Sequence, residues 1–274
     1  MSYLVKASKS LYYSLSGPAA APAVVFTHGA GLNHRMFDEQ VAALKNDYRV
    51  LVWDIPGHGL STPLEEEFSF INAAVDLIDI LNEEQIKEAV LVGHSLGGYI
   101  AQIAAALYAN RISALVMIGS TPLNRQIGSM PAGLLKLVVN LISLFPAGML
   151  WPFFAQKTAL RPEARRYAQA SFFSVGKRRF NNVWRGVVSV TSAGIPPFSS
   201  KPLLITHGEQ DFFGIIRRES LLWHKQVPGS RYAVIPAAGH NANQDNPAAF
   251  NRELRSFLVS VASEGAHALS EADR

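Results

Sequence analysis

Val92-Gly93-His94-Ser95-Leu96-Gly97-Gly98-Tyr99 places one small hydroxyl among glycines, directly after the apolar run EAVLV (88–92) and directly before YIAQIAAALYA (99–109). A chain that leaves a strand and enters a helix over so few residues must turn sharply. The turn holds the serine in a strained backbone region at a cost of about 1–3 kcal/mol and crowds the positions two residues to either side. Gly93 and Gly97 bring no side chain to collide there. The pattern is G-x-S-x-G. It predicts a Ser95 hydroxyl raised at the C-terminal edge of a sheet, with the N–H of Leu96 at a helix start and aimed where an oxyanion would form.

The strand before Ser95 has companions. Short apolar, β-branched runs recur as AVVFTHG (23–29), YRVLVWD (48–54), SALVMIG (113–119), PLLITHG (202–208) and RYAVIP (231–236). Each is continuous rather than alternating, as strands buried on both faces of a parallel sheet are. Helical patterns lie between them: Ile71, Ala74, Val75, Ile78 and Leu81 fall on one face behind a Ser69 cap, and Phe250, Leu254, Phe257 and Leu258 do the same near the C-terminus. Alternating strands and helices predict an α/β architecture with a mostly parallel sheet of about eight strands. The opening YLVKASKSLYYSLSG (3–17) supplies two antiparallel strands at one edge.

The 274 residues, 49% hydrophobic and 17% charged, suffice for one substantial core. The absence of cysteine excludes disulfides, thiolate metal sites and cysteine nucleophiles, which leaves serine or carboxylate chemistry. MSYLVKASKSLYY lacks a continuous apolar segment and a small-residue cleavage site, so a cytoplasmic location is the expectation. Leu137 to Ala155 is uncharged over nearly the length of a membrane span, but Pro146-Ala147-Gly148 interrupts it, and it reads as two short helices over a core. The strand rhythm fails between Pro122 and Phe198, where ten Lys/Arg face the single acid Glu163, a net of +9, while the rest of the chain carries −5. Residues 122–198 are therefore expected to be a separate helical unit on a core formed by 1–121 and 199–274.

A serine hydroxyl is a weak nucleophile until a base takes its proton, and the base sought is a histidine steadied by a carboxylate. Of eight histidines, His240 follows the last strand in a glycine-flanked loop and belongs at the same sheet edge as Ser95. His28, His58, His94 and His207 stand at strand ends or turns, where a backbone-bonded structural imidazole is the plainer reading, and His34, His224 and His267 read as surface. For the carboxylate, Asp211 lies just past a buried strand. Its rivals are Glu209, Asp54, which fits the tying of its own turn, and Asp245, which fits a helix cap. The chain order Ser95, Asp211, His240 is the one this kind of sheet requires. No His/Asp/Glu set has the spacing of a metal site.

These residues resemble the α/β-hydrolase family, through HGAG (28–31), DIPGHGLS (54–61), GHSLGG (93–98), HGEQD (207–211) and AGHNANQDNP (238–247), over nearly the whole chain outside 122–198. The resemblance implies a second oxyanion donor at the N–H of Ala30, paired with Leu96, a helical cap inserted after the sixth strand, and no cofactor. Where many relatives carry tryptophan this chain has Phe37, read as core packing, and DIPGHGLS is read as scaffold. Serine at the turn, rather than aspartate, suits attack on a carbonyl and implies ester cleavage through an acyl-enzyme. Perhydrolase, carbon–carbon hydrolase and ligand-receptor readings share the same residues. The apolar, aromatic insertion (Leu134, Leu135, Leu137, Phe145, Met149, Leu150, Trp151, Phe153, Phe154, Phe172, Phe173) implies a hydrophobic acyl or aryl substrate, most of these residues serving only to pack. Its basic balance suggests weak association with an anionic membrane surface, or contact with an acidic substrate group; nucleic acid is not expected, since no recognition motif accompanies the charge.

Overall fold

The computed structural model describes residues 2–6, 9–61, 68–123, 145–191 and 201–272. Every one of the six apolar runs forms a strand, and the opening segment adds two. The strands are β1 Ser2–Lys6, β2 Lys9–Ser16, β3 Ala23–Thr27, β4 Arg49–Trp53, β5 Ala89–His94, β6 Ile112–Ile118, β7 Leu203–Gly208 and β8 Arg231–Ile235. They lie in the order β1-β2-β4-β3-β5-β6-β7-β8. β2 pairs antiparallel with β1 and β4, and every other pairing is parallel. Strand order reverses about β3, so the connections leaving β3 and β5 diverge and open a crevice at their C-terminal ends.

The helices are α1 Asp38–Leu44, α2 Phe70–Glu83, α3 Leu96–Leu107, α4 Ala147–Thr158, α5 Pro162–Thr191, α6 Gly214–Gln226, α7 Ala242–Asp245 and α8 Pro247–Ala272. α5 is two helical segments meeting at Gly176, whose φ of 74° and ψ of 160° break the spiral. Alternate residues of the central strands feed two cores. Val25, Leu91 and Leu115 pack with Leu77 of α2 and Ile100 of α3. Phe26, Val92 and Val116 pack on the other face with Phe250 and Leu254 of α8. Phe37 is in that second core, 4.9 Å from Phe26 ring to ring. The inner faces of α4 and α5 join both, through Val183 and Val187 on one side and Trp151, Phe172 and Phe180 on the other.

Two expectations need correction. Ser69 does cap α2, accepting from Asn72 N–H at 3.2 Å, but Ile71 is exposed and Val75 half-buried, the buried face running instead through Phe70, Ala73, Ala74, Leu77, Ile78 and Leu81. The helix is apolar on more than one side, so spacing alone selects two overlapping faces. β8 is not buried on both faces either: it closes the sheet, and Val234 is exposed. α4 starts immediately after Pro146, where the interruption predicts a helix boundary. The other half of that stretch, 137–144, and the boundary at 198 lie outside the described residues. Among the described residues no helix is long and apolar enough to cross a membrane.

Candidate active site

β5 ends at His94 and α3 begins at Leu96, so Ser95 alone makes the turn, at φ 50° and ψ −113°. A non-glycine residue holds a positive φ only where its surroundings impose it. Ser95 N–H donates to Ile118 O at 2.8 Å, and Ser95 O accepts from Gly98 N–H at 3.0 Å. A Cβ on Gly93 would stand 2.5 Å from Gly97 O and Gly98 N, and one on Gly97 only 2.1 Å from Thr27 O. The two glycines thus let α3 begin against the end of β3.

His240 hangs from the loop between β8 and α7. Its Nδ1–H donates to Asp211 Oδ2 at 2.8 Å, and Asp211 Oδ1 accepts from Phe213 N–H at 2.9 Å. A carboxylate only accepts, so the ring proton sits on Nδ1 and Nε2 keeps its lone pair. The imidazole is buried and wedged edge-on between Phe213 and His94, with centroids 5.0 and 4.9 Å away. His94 Nε2–H donates to the His240 carbonyl at 3.1 Å, tying the end of β5 to the histidine loop.

Ser95 and His240 open on a cavity of about 290 Å³, with Ala30 and Leu96 beside them. Across from them stand Phe154 of α4, Phe172, Phe180 and Trp184 of α5, and Phe213. No Lys, Arg, Asp or Glu is among the described residues that line it. The polar exceptions are few. Tyr99 OH and Thr121 Oγ1 satisfy each other at 2.7 Å, while Ser120 Oγ and Asn241 Oδ1 are buried with no hydrogen-bond partner. Neither was singled out in the sequence: Ser120 follows the run SALVMIG, and Asn241 lies inside AGHNANQDNP beside His240.

No hydrogen bond among the described residues takes up the N–H of Ala30 or Leu96. The backbone groups on either side of Ala30 N–H are engaged. Gly29 O accepts from His28 Nδ1–H at 2.8 Å and from Leu32 N–H at 3.2 Å. His58 Nε2 accepts Gly31 N–H at 3.0 Å, and His28 Nε2 accepts Ile55 N–H at 3.1 Å. Burial pushes His28 down to about 4 and His58 to about 3, and holds His94 well below the ordinary imidazole value. His28 and His58 are therefore neutral and able to accept.

His28, His58, His94 and His207 are all backbone-bonded, as expected. His34 departs from its surface reading: its ring Nδ1 lies 2.9 Å from both oxygens of Asp54, and its N–H donates to Asp54 Oδ1 at 2.7 Å. Asp54 Oδ2 also accepts Leu60 N–H at 2.8 Å, so this carboxylate ties its own turn. Burial alone would raise Asp54, but its hydrogen bonds with His34 and with Leu60 N–H bring it below the usual carboxylate range. His224 is half-buried, stacked on Tyr232. Glu209 accepts from Ala237 N–H at 3.1 Å, away from His240. Asp245 does not cap the helix that follows it. Asn246 does, accepting Ala249 N–H at 3.1 Å. Asp245 instead accepts Leu160 and Arg161 N–H at 2.8 and 2.9 Å and Gly239 N–H at 2.8 Å, pinning the histidine loop to the α4–α5 turn. Of the insertion's apolar residues, Phe154 and Phe172 line the cavity, Leu150 and Trp151 pack beneath it, and Phe145, Met149, Phe153 and Phe173 are exposed. Leu134, Leu135 and Leu137 lie outside the described residues, as does the side chain of His267. Phe180 and Trp184 were missed in the sequence, because they lie beyond the kink at Gly176, which breaks the helical spacing running from Phe172.

A family model for the alpha/beta hydrolase fold matches residues 22–247. Among curated proteins, Esterase YbfF of Escherichia coli K12 is 29% identical over 219 residues, which span 78% of this chain and 84% of that protein. Among solved structures, a thermophilic esterase from Thermogutta terrifontis superposes with a TM-score of 0.81 at 22% identity, over 92% of this chain and 94% of the other. The enol-lactonase from Burkholderia xenovorans LB400 superposes at 0.80 with 20% identity, over 94% and 100%. At such identities these two likenesses speak for the fold.

Proposed function

Because the chain belongs to the alpha/beta hydrolase family, we propose that it is a serine hydrolase that cleaves a carboxylic ester of a small to medium apolar acid through an acyl-enzyme. Ser95 Oγ adds to the ester carbonyl as His240 Nε2 takes its proton, and the N–H groups of Ala30 and Leu96 hold the oxyanion. Collapse expels the alcohol, which leaves with the proton from His240. Water then attacks the acyl carbonyl, giving its proton to His240, and the acid departs as Ser95 regains its hydrogen. Asp211 keeps the proton on Nδ1 and steadies the imidazolium. Each oxyanion donor of this kind contributes a factor of about 100 to 1,000 in rate. The pair α4 and α5, within an insertion spanning 122–198, acts as the cap.

One observation carries the reading: Ser95 and a His240 held by Asp211 share a cavity with no charged lining side chain among the described residues. Such walls favour an uncharged alkyl or aryl acyl group, since an unpaired charge buried there is costly. Esterase and enol-lactonase, the names of two similar proteins, denote the same class of bond. The test is ester turnover by Ser95→Ala across p-nitrophenyl esters of rising chain length, with a fluorophosphonate label mapped by mass. The expected loss is on the order of a millionfold, with labelling at Ser95 in the unmutated protein. A loss below tenfold, or a label elsewhere, defeats the proposal.

A further inference from the structure

Among the exposed large apolar side chains, Phe145, Met149, Phe153 and Phe173 belong to the α4–α5 unit and Phe212 to the loop after β7, each about half exposed or more. Single exposed apolar residues are ordinary, but Phe145, Met149 and Phe153 follow one another at four-residue spacing, and Phe153 and Phe212 share one lysine. Phe145, Met149, Phe153 and Lys157 recur every fourth residue along and just before α4. Lys157 Nζ lies 5.7 Å from the Phe153 ring and 4.7 Å from the Phe212 ring. Lys177 Nζ, just past the kink at Gly176 in α5, donates to Phe145 O at 2.8 Å. The result is an aromatic ridge edged by ammonium groups, with Arg178 and Arg185 exposed further along α5.

We propose that this ridge docks the protein on an anionic phospholipid bilayer. Phenylalanine and methionine enter the interface between headgroups and acyl chains, and lysines lay their stems along them while the ammonium stays among the phosphates. Charge selects this occupant. Residues 145–191 carry eight Lys/Arg against Glu163 alone, while the chain outside 122–198 is net negative, so an anionic surface attracts this side and repels the opposite one. A second copy seated on the ridge would instead set two basic rims against each other within a Debye length of about 8 Å. α4 carries the ridge on one side and the cavity residues Phe154 and Thr158 on the other. Docking therefore brings the cavity within one helix diameter, about 10 Å, of the bilayer. Its consequence, that membrane-dissolved esters reach Ser95, rests on the function proposed above, whereas the docking does not.

The experiment is co-sedimentation of the full chain with phosphatidylcholine vesicles, with and without phosphatidylglycerol, at low and high salt. The expected result is binding at least tenfold stronger to the anionic vesicles, weakening as salt rises. Met149→Ser with Phe153→Ser lowers that binding tenfold or more, and Lys157→Glu with Lys177→Glu removes the preference for anionic lipid. Both variants keep their melting temperature and their turnover of a soluble short-chain ester. Ser95→Ala binds vesicles like the unmutated protein, which separates failure of docking from failure of the hydrolase reading. Equal binding to both vesicle types, binding untouched by the Met149/Phe153 substitutions, or a solution dimer that those substitutions dissolve each overturns the proposal.

Discussion

The N–H of Ala30 is available because two histidines occupy its neighbours. A peptide's C=O and N–H point in opposite directions, so drawing Gly29 O onto His28 Nδ1–H turns the N–H of Ala30 the other way, toward the cavity it borders. His58 fixes the next peptide by accepting Gly31 N–H at 3.0 Å. His58→Leu removes that acceptor and leaves a buried N–H unpaired, which the loop can relieve only by rotating. Steady-state kinetics on a short ester should then show kcat down about 10- to 100-fold with KM little changed. His58→Gln, which offers Oε1 close to the lost Nε2, should recover most of the rate. A His58→Leu enzyme with unaltered kcat would mean that the loop holds itself. The HGAG and DIPGHGLS motifs were each legible in the sequence, but the bond joining them spans 27 residues and depends on β3 and β4 lying side by side.

Elements built from steric necessity were the most legible. Gly97 admits no side chain, because its Cβ would meet Thr27 O at 2.1 Å and His28 O at 2.7 Å, backbone atoms of the neighbouring strand end that cannot step aside. Gly97→Ala should lower stability by about 3 kcal/mol or more, a fall on the order of 10 °C in Tm. Gly148, in the first turn of α4 with no atom near its Cβ, is the contrast: Gly148→Ala should leave Tm unchanged or raise it, by up to about 1 kcal/mol in stability. Thermal denaturation of the two variants side by side decides this, and a Gly97→Ala protein as stable as its parent would refute the collision argument. The same logic explains which strands were readable. Ala23–Thr27 and Leu203–Gly208 are covered on both faces and announce themselves by unbroken apolar sequence. The face of α2 and the wall made by Phe180 and Trp184 were not readable, because they depend on how a helix is rolled against its neighbours and on a kink at Gly176. Asp245 was misread for a similar reason: its partners, Leu160 and Arg161, lie 85 and 84 residues away in sequence.

Across the whole molecule, the buried histidines make folding depend on pH. In the unfolded chain an imidazole titrates near 6.5. In the fold, burial pushes His28 down to about 4, His58 to about 3, and His94 well below its ordinary value. Between these limits the unfolded state binds protons that the native state refuses, so stability rises with pH across the window and falls as the medium is acidified from 6.5 toward 4. Below about 3 His58 is protonated in both states and its contribution stops changing. Each such histidine adds about 1.4 kcal/mol per pH unit to the slope where it is fully in play. Urea denaturation at pH 7, 6 and 5 should show unfolding midpoints dropping more steeply with each step. His58→Gln, with one imidazole fewer, should flatten the acid slope by about 1.4 kcal/mol per pH unit. Carboxylates enter the same balance only nearer pH 4, which keeps the upper part of the window diagnostic of histidine. A midpoint that stays level from pH 7 to 5 would mean that these imidazoles find water or a proton partner in the folded chain. The neutral acceptors that hold the loop around Ala30 would then need a different explanation.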